Sequence, residues 1–477
     1  MEKRKEEKIV KFIKFLIIIC FIPLLSGCMG REPNDTAYVA AMGIDKGKDN
    51  NYNITIQFAK PAQISGGASE EGGKGGEDIV ENLIFEAPDV YAAVNMANYL
   101  ISKKFSLSHM KLIVFSEEVA KNGINDIMET LSRSDEVRPD LITAVSRETA
   151  NAYLENTKPI VEVNPTKYYQ LIYEQNNSGG IPKMSGIKVM TDLTSKQRDI
   201  VMPLAGVAKS EKSSDNQLSE EGQGEGQQQS GGQQGEGQQQ GEGQQQGGGQ
   251  QQSSSQQSTS GQDESNPEKI NSSVDVPINK QGFQYNSRDY KAGDVSITDK
   301  DKSEALGMAV FKEDKLIAEL NEIEANLYNI LVGDYYDNYT SFFSPVTPDK
   351  AVTVRLGQRK IPTYKIDKNN NSLKINLYLE GDFYSLPYNY SLENDVEEFE
   401  KSCAEEISSR CCEFVKNMRD EYDVDVLGIK EKSKKGFIDM NSFNNYNWDE
   451  KFKSYNIEVE TKFKIRHSGI TYREKEE

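Results

Sequence analysis

From Ser219 to Lys269 the chain carries no aliphatic or aromatic side chain, and GEGQQQ recurs at 224–229, 235–240 and 241–246. Such a stretch cannot bury enough apolar surface to offset the entropy of ordering it, so disorder is expected. Any fold must therefore be assembled from what lies on either side. The flanks DIVMPLAGVAKS and ALGMAVFKEDKLIAEL both read as strands. The segment is then an expanded surface loop between two strands of one domain, serving as a polar brush or spacer. Its length adds little cost, because closure entropy grows only logarithmically.

Before the insert, the hydrophobic pattern alternates between period 2 and helical spacing. DTAYVAAMGIDKGKDNNYNITIQFAKP predicts two strands, at 36–44 and 52–59, joined by a polar turn. APDVYAAVNMANYLISKKF predicts a helix with Pro88 near its start, and LSHMKLIVFS a buried strand. EEVAKNGINDIMETLSRS reads as a helix broken at Gly123, RPDLITAVSR as a strand, and 147–154 and 164–175 as short helices. This order makes the N-terminal half α/β. After the insert, GMAVFKEDKLIAEL suggests a hairpin turning at KEDK, followed by a helix from about Asn321 to Val332. Strands are expected near 351–357, 360–367 and 373–381, then a long helix at 392–419, then strands in YDVDVLGIK and KSYNIEVETKFKIRHSG.

The fold class expected is multi-domain α/β (α+β), with mixed sheets, helices packed on them and a disordered Gln/Gly-rich insert. The divisions are 1–27, a lipoprotein signal peptide; 28–209, an N-terminal α/β region; 210–300, the insert; 301–340, a hairpin and helix completing the first region; and 341–477, a C-terminal α/β domain.

The leader decides location. Residues 1–27 carry six Lys/Arg against three Glu, so residues 28–477 hold −22 against −19 for the whole chain. A body so acidic repels nucleic acid and does not offer a basic face to anionic lipid. The apolar run from Phe15 to Leu25 is too short to span about 30 Å of hydrocarbon but suits the apolar region of a secretory signal. It ends in LSGC at 25–28, the pattern of a bacterial lipobox, which makes Cys28 the candidate lipidation site and the new N-terminus after cleavage. The alternative is an ordinary signal peptide with an incidental cysteine. Acylation by two or three chains would hold the protein stably at a membrane.

Of the other cysteines, Cys20 lies in the leader. Cys403 and Cys411 fall on a helical apolar stripe with Val396, Phe399, Ile407, Phe414 and Met418, and Cys412 beside it. They read as core thiols rather than a disulfide framework. The two histidines, His109 and His467, are far apart in sequence, and there is no HExxH or CxxC. DKGKDNNYN lacks the glycine and closing glutamate of a calcium loop and reads as a hairpin turn. Ser108-His-Met-Lys111 and Ser214-Asp-Asn216 follow the order used by penicillin-recognising enzymes. However, Ser108 precedes a strand, where that chemistry needs a helix start, and no K-T-G follows. GIDKGK is one residue short of a phosphate loop. No catalytic, metal or cofactor site is expected.

Several stretches together resemble the Ger(x)C lipoproteins, the C subunits of spore nutrient germinant receptors. They are the lipobox with REPNDTAYVAAMGIDKG, the run LSHMKLIVFSEEVAKNGINDIMETLSRSDEVRPDLITAV, the hairpin ALGMAVFKEDKLIAELNEIE and the closing WDEKFKSYNIEVETKFKIRHSG. The resemblance spans nearly all of the mature chain outside the insert. It departs at Met29, where the family has Trp, and in the insert itself. It implies a non-enzymatic three-domain α/β protein, lipid-anchored through Cys28 on the outer face of the cell membrane or spore inner membrane. Its partners would be a multi-span A subunit and a transporter-like B subunit, and its role scaffolding or signalling in nutrient-triggered germination. Two rivals share the export signal: a solute-binding lipoprotein of a membrane transporter, which needs a cleft between two doubly wound lobes, and an envelope hydrolase, which needs paired acids or a metal.

Overall fold

The structure is a computed structural model, which describes residues 11–12, 14, 35–59, 79–158, 162, 164–175, 179–209, 283–284, 290–295, 302–344, 347–387 and 392–467. Most of the leader, Cys20, Cys28, Ser214–Asn216 and the Gln/Gly repeats lie outside the described residues. Within 36–207 the elements are β1 Thr36–Lys46, β2 Tyr52–Ala59, β3 Val80–Ala87, α1 Val90–Leu100, β4 Lys104–Ser106, β5 Leu112–Ser116, α2 Glu117–Asn122, α3 Asn125–Ser132, β6 Ile142–Ser146, α4 Ala150–Asn156, α5 Pro165–Gln170, α6 Gly186–Ser195 and β7 Val201–Val207. Then follow β8 Phe283–Gln284, β9 Ser303–Lys312, β10 Lys315–Leu320, α7 Glu322–Val332, β11 Asp337–Ser344, β12 Thr347–Gln358, β13 Thr363–Asp367, β14 Ser372–Ser385, α8 Leu392–Asp420, α9 Ile429–Ser433, α10 Met440–Asn445, α11 Trp448–Phe452 and β15 Asn456–His467.

Among the described residues the strands form two mixed sheets, one of nine and one of six. The first is ordered β10-β9-β7-β6-β5-β1-β2-β3, with β4 beside the start of β1. β1, β5, β6 and β7 are parallel, while β2 and β9 join them antiparallel. Parallel strands are covered on both faces, and their side chains divide accordingly. Ile113 and Phe115 point into one apolar cluster, Leu112 and Val114 into another under α4 and Tyr169. The strands flanking the insert, β7 and β9, are direct antiparallel neighbours, with Met202 opposite Ala309.

The Gly-Ile-Asp run near the end of β1 has a packing explanation. A Cβ on Gly43 would stand 3.1 Å from both Ala150 Cβ and Leu154 Cδ1, so glycine lets α4 lie directly on the sheet. Two residues on, Asp45 accepts from the Ala150 N–H at 2.7 Å and the Asn151 N–H at 2.9 Å. Thr149 Oγ1 accepts from Ala152 N–H at 3.1 Å, so three orphan donors of α4 are satisfied. Gly307, in the GMAVF hairpin, has φ +87°, and a Cβ there would sit 2.4 Å from the Leu320 carbonyl oxygen. Only glycine fits that point of β9 without strain.

In the second sheet β15 lies parallel along one edge of β14, whose other edge is shared by β13 and β12. β14 alternates strictly: Leu373, Ile375, Leu377 and Leu379 face inward beneath α8. The predicted stripe of α8 is buried there, including Phe399, Cys403, Ile407, Cys411 and Phe414. Side chains of α8 also meet the free edge of β15. Glu400 accepts from Ile465 N–H at 2.8 Å and Ser408 Oγ from Thr461 N–H at 2.9 Å. Arg419 donates to the Tyr455 carbonyl at 2.6 Å and Cys412 Sγ to that of Ile457 at 3.2 Å. The helix thereby blunts an edge that would otherwise template another strand.

The structure corrects several expected elements. YDVDVLGIK is not a strand: Val424 and Val426 are both buried, Asp425 turns inward to cap α9, and the chain ends in helix Ile429–Ser433. LSHMKLIVFS is a strand only from Leu112; residues 107–110 make a turn closed by Met110 N–H to the Leu107 carbonyl at 3.0 Å. Strands β3 and β11 and helix α6 had no counterpart in the sequence reading. In β11 the inward positions include Thr340 and Asn338, and polar side chains on a core face hide the period.

Gly43→Leu should force α4 off β1 and lower stability by about 1–3 kcal/mol. Asp45→Ala, which uncaps the same helix, should cost about 1–2 kcal/mol. Urea unfolding followed by far-UV circular dichroism measures both, and a loss under about 0.5 kcal/mol in each would refute this account of the Gly-Ile-Asp run.

Candidate functional site

Where the two sheets meet, a cleft of about 590 Å³ is lined by residues of 192–199, the β9–β10 turn, 423–425 and α11. It is built from two short segments that bind each other through backbone and carboxylate. Asp199 N–H donates to the Asp425 carbonyl at 3.1 Å, and Asp425 N–H donates to Asp199 Oδ2 at 2.7 Å. Asp425 in turn accepts from Ile429 N–H at 2.9 Å and Lys430 N–H at 2.7 Å, starting α9. Neighbouring Arg198 is held by Asp192 through Nε at 3.1 Å. Across the rim, Lys312 and Lys453 reach Asp423 at 2.6 and 3.4 Å, and Lys430 reaches Asp449 at 2.8 Å. Of these ion pairs, Lys312–Asp423 crosses the seam, and the others brace one side of it.

Burial pushes the Asp425 carboxyl up to about 6, against two backbone donors that pull it down. Burial also raises Asp199. A second cleft, of about 680 Å³, opens where β1 ends, between Lys46, the hairpin turn at Asn50–Tyr52 and α3. Neither cleft gathers a nucleophile with a base, and among the described residues no three His, Cys, Asp or Glu side chains are grouped to hold a metal.

The residues singled out in the sequence are dispersed. Lys111 is buried and bonded to Asp140 Oδ2 at 2.8 Å and Glu174 Oε1 at 2.7 Å. Burial by itself would lower its ammonium, but the two carboxylates outweigh it and the net shift is upward. Ser108 Oγ lies instead against Ser106 Oγ at 2.9 Å and His109 Nδ1 at 3.2 Å, so the S-x-x-K spacing assembles no reactive pair. His109 is exposed and meets the Tyr38 ring edge-on at 4.4 Å. His467 ends β15, exposed, opposite Asp382. Cys403 and Cys411 are buried free thiols that burial pushes up, and Cys412 is the edge donor of α8. Sequence reading missed the Asp199–Asp425 seam, because an alternating D-V-D-V run imitates a strand.

Asp425→Asn tests the seam. Because the folded carboxyl sits above its unfolded value near 3.8, its contribution is full below pH 4 and is lost as pH rises through 6. Wild-type stability relative to the variant should therefore fall by on the order of 1–3 kcal/mol between pH 4 and pH 6.5 in parallel urea titrations. Parallel curves would overturn the assignment. With an aromatic-disulfide reagent, Cys403 and Cys411 should react only after unfolding.

Comparison with known proteins covers both halves. Residues 30–207 match the spore germination protein N-terminal domain, and residues 306–469 match the spore germination B3/GerAC-like C-terminal domain. The chain is 25% identical over 197 residues to spore germination protein KC of Bacillus subtilis (strain 168), covering 40% of this chain and 48% of that protein. It is 29% identical over 152 residues to the putative spore germination protein YfkR of the same strain, covering 32% and 38%. The chain thus spans less than half the length of each of these two relatives. Spore germination protein GerQC of Bacillus cereus is 18% identical over 375 residues, covering 78% of this chain and 77% of that protein. A crystal structure of the GerBC protein aligns at 12% identity with a TM-score of 0.44, covering 89% of this chain and 96% of that one. With both domain models matched in order along one chain, this protein belongs to the GerAC-like (Ger(x)C) family of spore germination proteins.

Proposed function

We propose that the chain is the lipid-anchored, non-enzymatic C subunit of a spore germinant receptor, required for nutrient-triggered germination. The observation that carries this reading is the coincidence of both family domains with a basic, apolar leader ending in LSGC. Signal cleavage before Cys28 and acylation of its thiol would place the body on the outer face of the cell membrane, which becomes the spore inner membrane. Two or three acyl chains hold a protein there stably. Confinement to that surface raises its effective concentration beside membrane-spanning A and B subunits, so weak protein contacts suffice for assembly. The charged seam between the sheets suits scaffolding, since Asp199, Asp425 and the Lys312–Asp423 pair are spent on holding the two sheets together.

Cys28→Ala should abolish incorporation of labelled fatty acid and move the protein from the membrane to the soluble fraction; unchanged labelling and fractionation would refute the anchor. Spores lacking the gene should release dipicolinate normally with a receptor-independent trigger but slowly or not at all with nutrients. Normal nutrient response in a strain without other germinant receptors would sink the receptor reading. Strong thermal stabilisation of the isolated body by one amino acid or sugar would favour the solute-binding alternative.

A further inference from the structure

The C-terminal turn of α1 is unusual for its surroundings. The helix already buries Val90, Ala93, Val94 and Ala97 against the sheet, yet Tyr99 is 80% and Leu100 71% exposed, with Met96 at 41%. Lys103 and Lys104 follow, and among the described residues neither forms an ion pair. An aromatic ring and a leucine at the end of α1, followed within four residues by two lysines, are the composition of a membrane–water interface, where rings and aliphatic chains enter the headgroup layer and ammonium groups reach the phosphates.

The location of this turn in the fold supplies the second observation. β4 begins at Lys104, whose register partner is Thr36, the first residue of β1. Leu100 is therefore four residues of chain from the point where β1 starts. Cys28 lies eight residues before Thr36, so a fully extended tether reaches at most about 27 Å. The opposite end of β1 is ten residues away, about 33 Å along the strand. An acylated Cys28 holds the Thr36 end, and with it Tyr99 and Leu100, within reach of the bilayer. The hairpin at the far end of β1 lies about 33 Å further along the strand.

We propose that Tyr99, Leu100, Lys103 and Lys104 form a membrane-contacting lip that seats the Thr36 end of the first sheet in the lipid interface and orients the protein on the bilayer. The proposal rests on the reading of Cys28 as the acylated residue. The occupant is a lipid surface, entered mainly through apolar side chains. The −22 net charge of residues 28–477 disfavours attachment by charge alone, and the two lysines locally offset that repulsion. Glu136, at the same end, is engaged by Leu107 N–H at 2.9 Å and by Ser106 Oγ at 3.3 Å. The acyl chains supply retention, and the lip supplies orientation.

The test uses the full chain purified from membranes and reconstituted into phosphatidylcholine vesicles with and without brominated acyl chains. Tyr99→Trp reports the lip, and Lys48→Trp reports the exposed turn beyond the far end of β1. The buried Trp448 of the parent chain gives the baseline. Brominated lipid should cut the added emission of Tyr99→Trp about twofold and leave that of Lys48→Trp unchanged. Equal quenching at the two positions, or none at Tyr99→Trp, overturns the lip. Acyl labelling of Cys28 is measured on the same preparation: a labelled chain with equal quenching overturns the orientation alone, and an unlabelled chain overturns the anchor and the lip together. Leu100→Ser provides the second reading: with Cys28 labelled, it should reduce quenching at Tyr99→Trp at least twofold, whereas undiminished quenching counts against insertion.

Discussion

The antiparallel pairing of β7 with β9 is the contact on which the rest of the structure depends. Residues 208–302 separate these strands in sequence, yet Val201 faces Val310 and Met202 faces Ala309 in the ladder. Through this pair the polypeptide after the insert completes the first sheet before it starts the second. Phe311 N–H extends the join by bonding the Ile200 carbonyl at 2.9 Å, one residue from Asp199 and the seam to Asp425. Closure of so long a connection is tolerable because each doubling of loop length adds only about 0.6 kcal/mol. Local β pairing and buried Val, Met and Phe side chains outweigh that cost.

From this join the two sheets diverge in design. The first is α/β in the strict sense, with parallel strands buried on both faces and helices started by side chains borrowed from the sheet, as Asp45 does for α4. The second presents one face to α8 and leaves the other to solvent, so its strands alternate as a one-sided antiparallel sheet should. Its parallel edge strand β15 is protected by hydrogen bonds from the helix that covers it. A single continuous apolar cluster runs from Val39 in β1 to Phe463 in β15, which ties the two designs into one core.

This division bears on function. Four charged groups drawn in from solvent, Asp425, Asp199, Asp45 and Lys111, are bonded to backbone or to opposite charges that hold elements together. Their chemistry is used for joining. Such a frame suits the scaffolding role proposed for the chain. The exposed side chains of Tyr99 and Leu100 are the ones proposed to seat it on a bilayer.

Periodicity alone located β1, β2, the break at Gly123, the hairpin at KEDK and the 392–419 helix, because each has a continuous apolar rhythm or an unambiguous turn residue. The LSGC pattern at 25–28, which the sequence reading takes as a lipobox, is likewise a local signal that needs no fold to be read. What only the tertiary structure decided are the cases where a neighbour overrides the local pattern. Asp-Val-Asp-Val at 423–426 looks like a strand, yet it folds as a turn because Asp199 meets Asp425 from a segment more than two hundred residues earlier. Thr340 and Asn338 point inward in β11 because a sheet edge, which no short window contains, encloses them. The place of Tyr99 and Leu100 belongs to the same class: as sequence they complete a helix, and only the pairing of Lys104 with Thr36 brings them beside the start of β1.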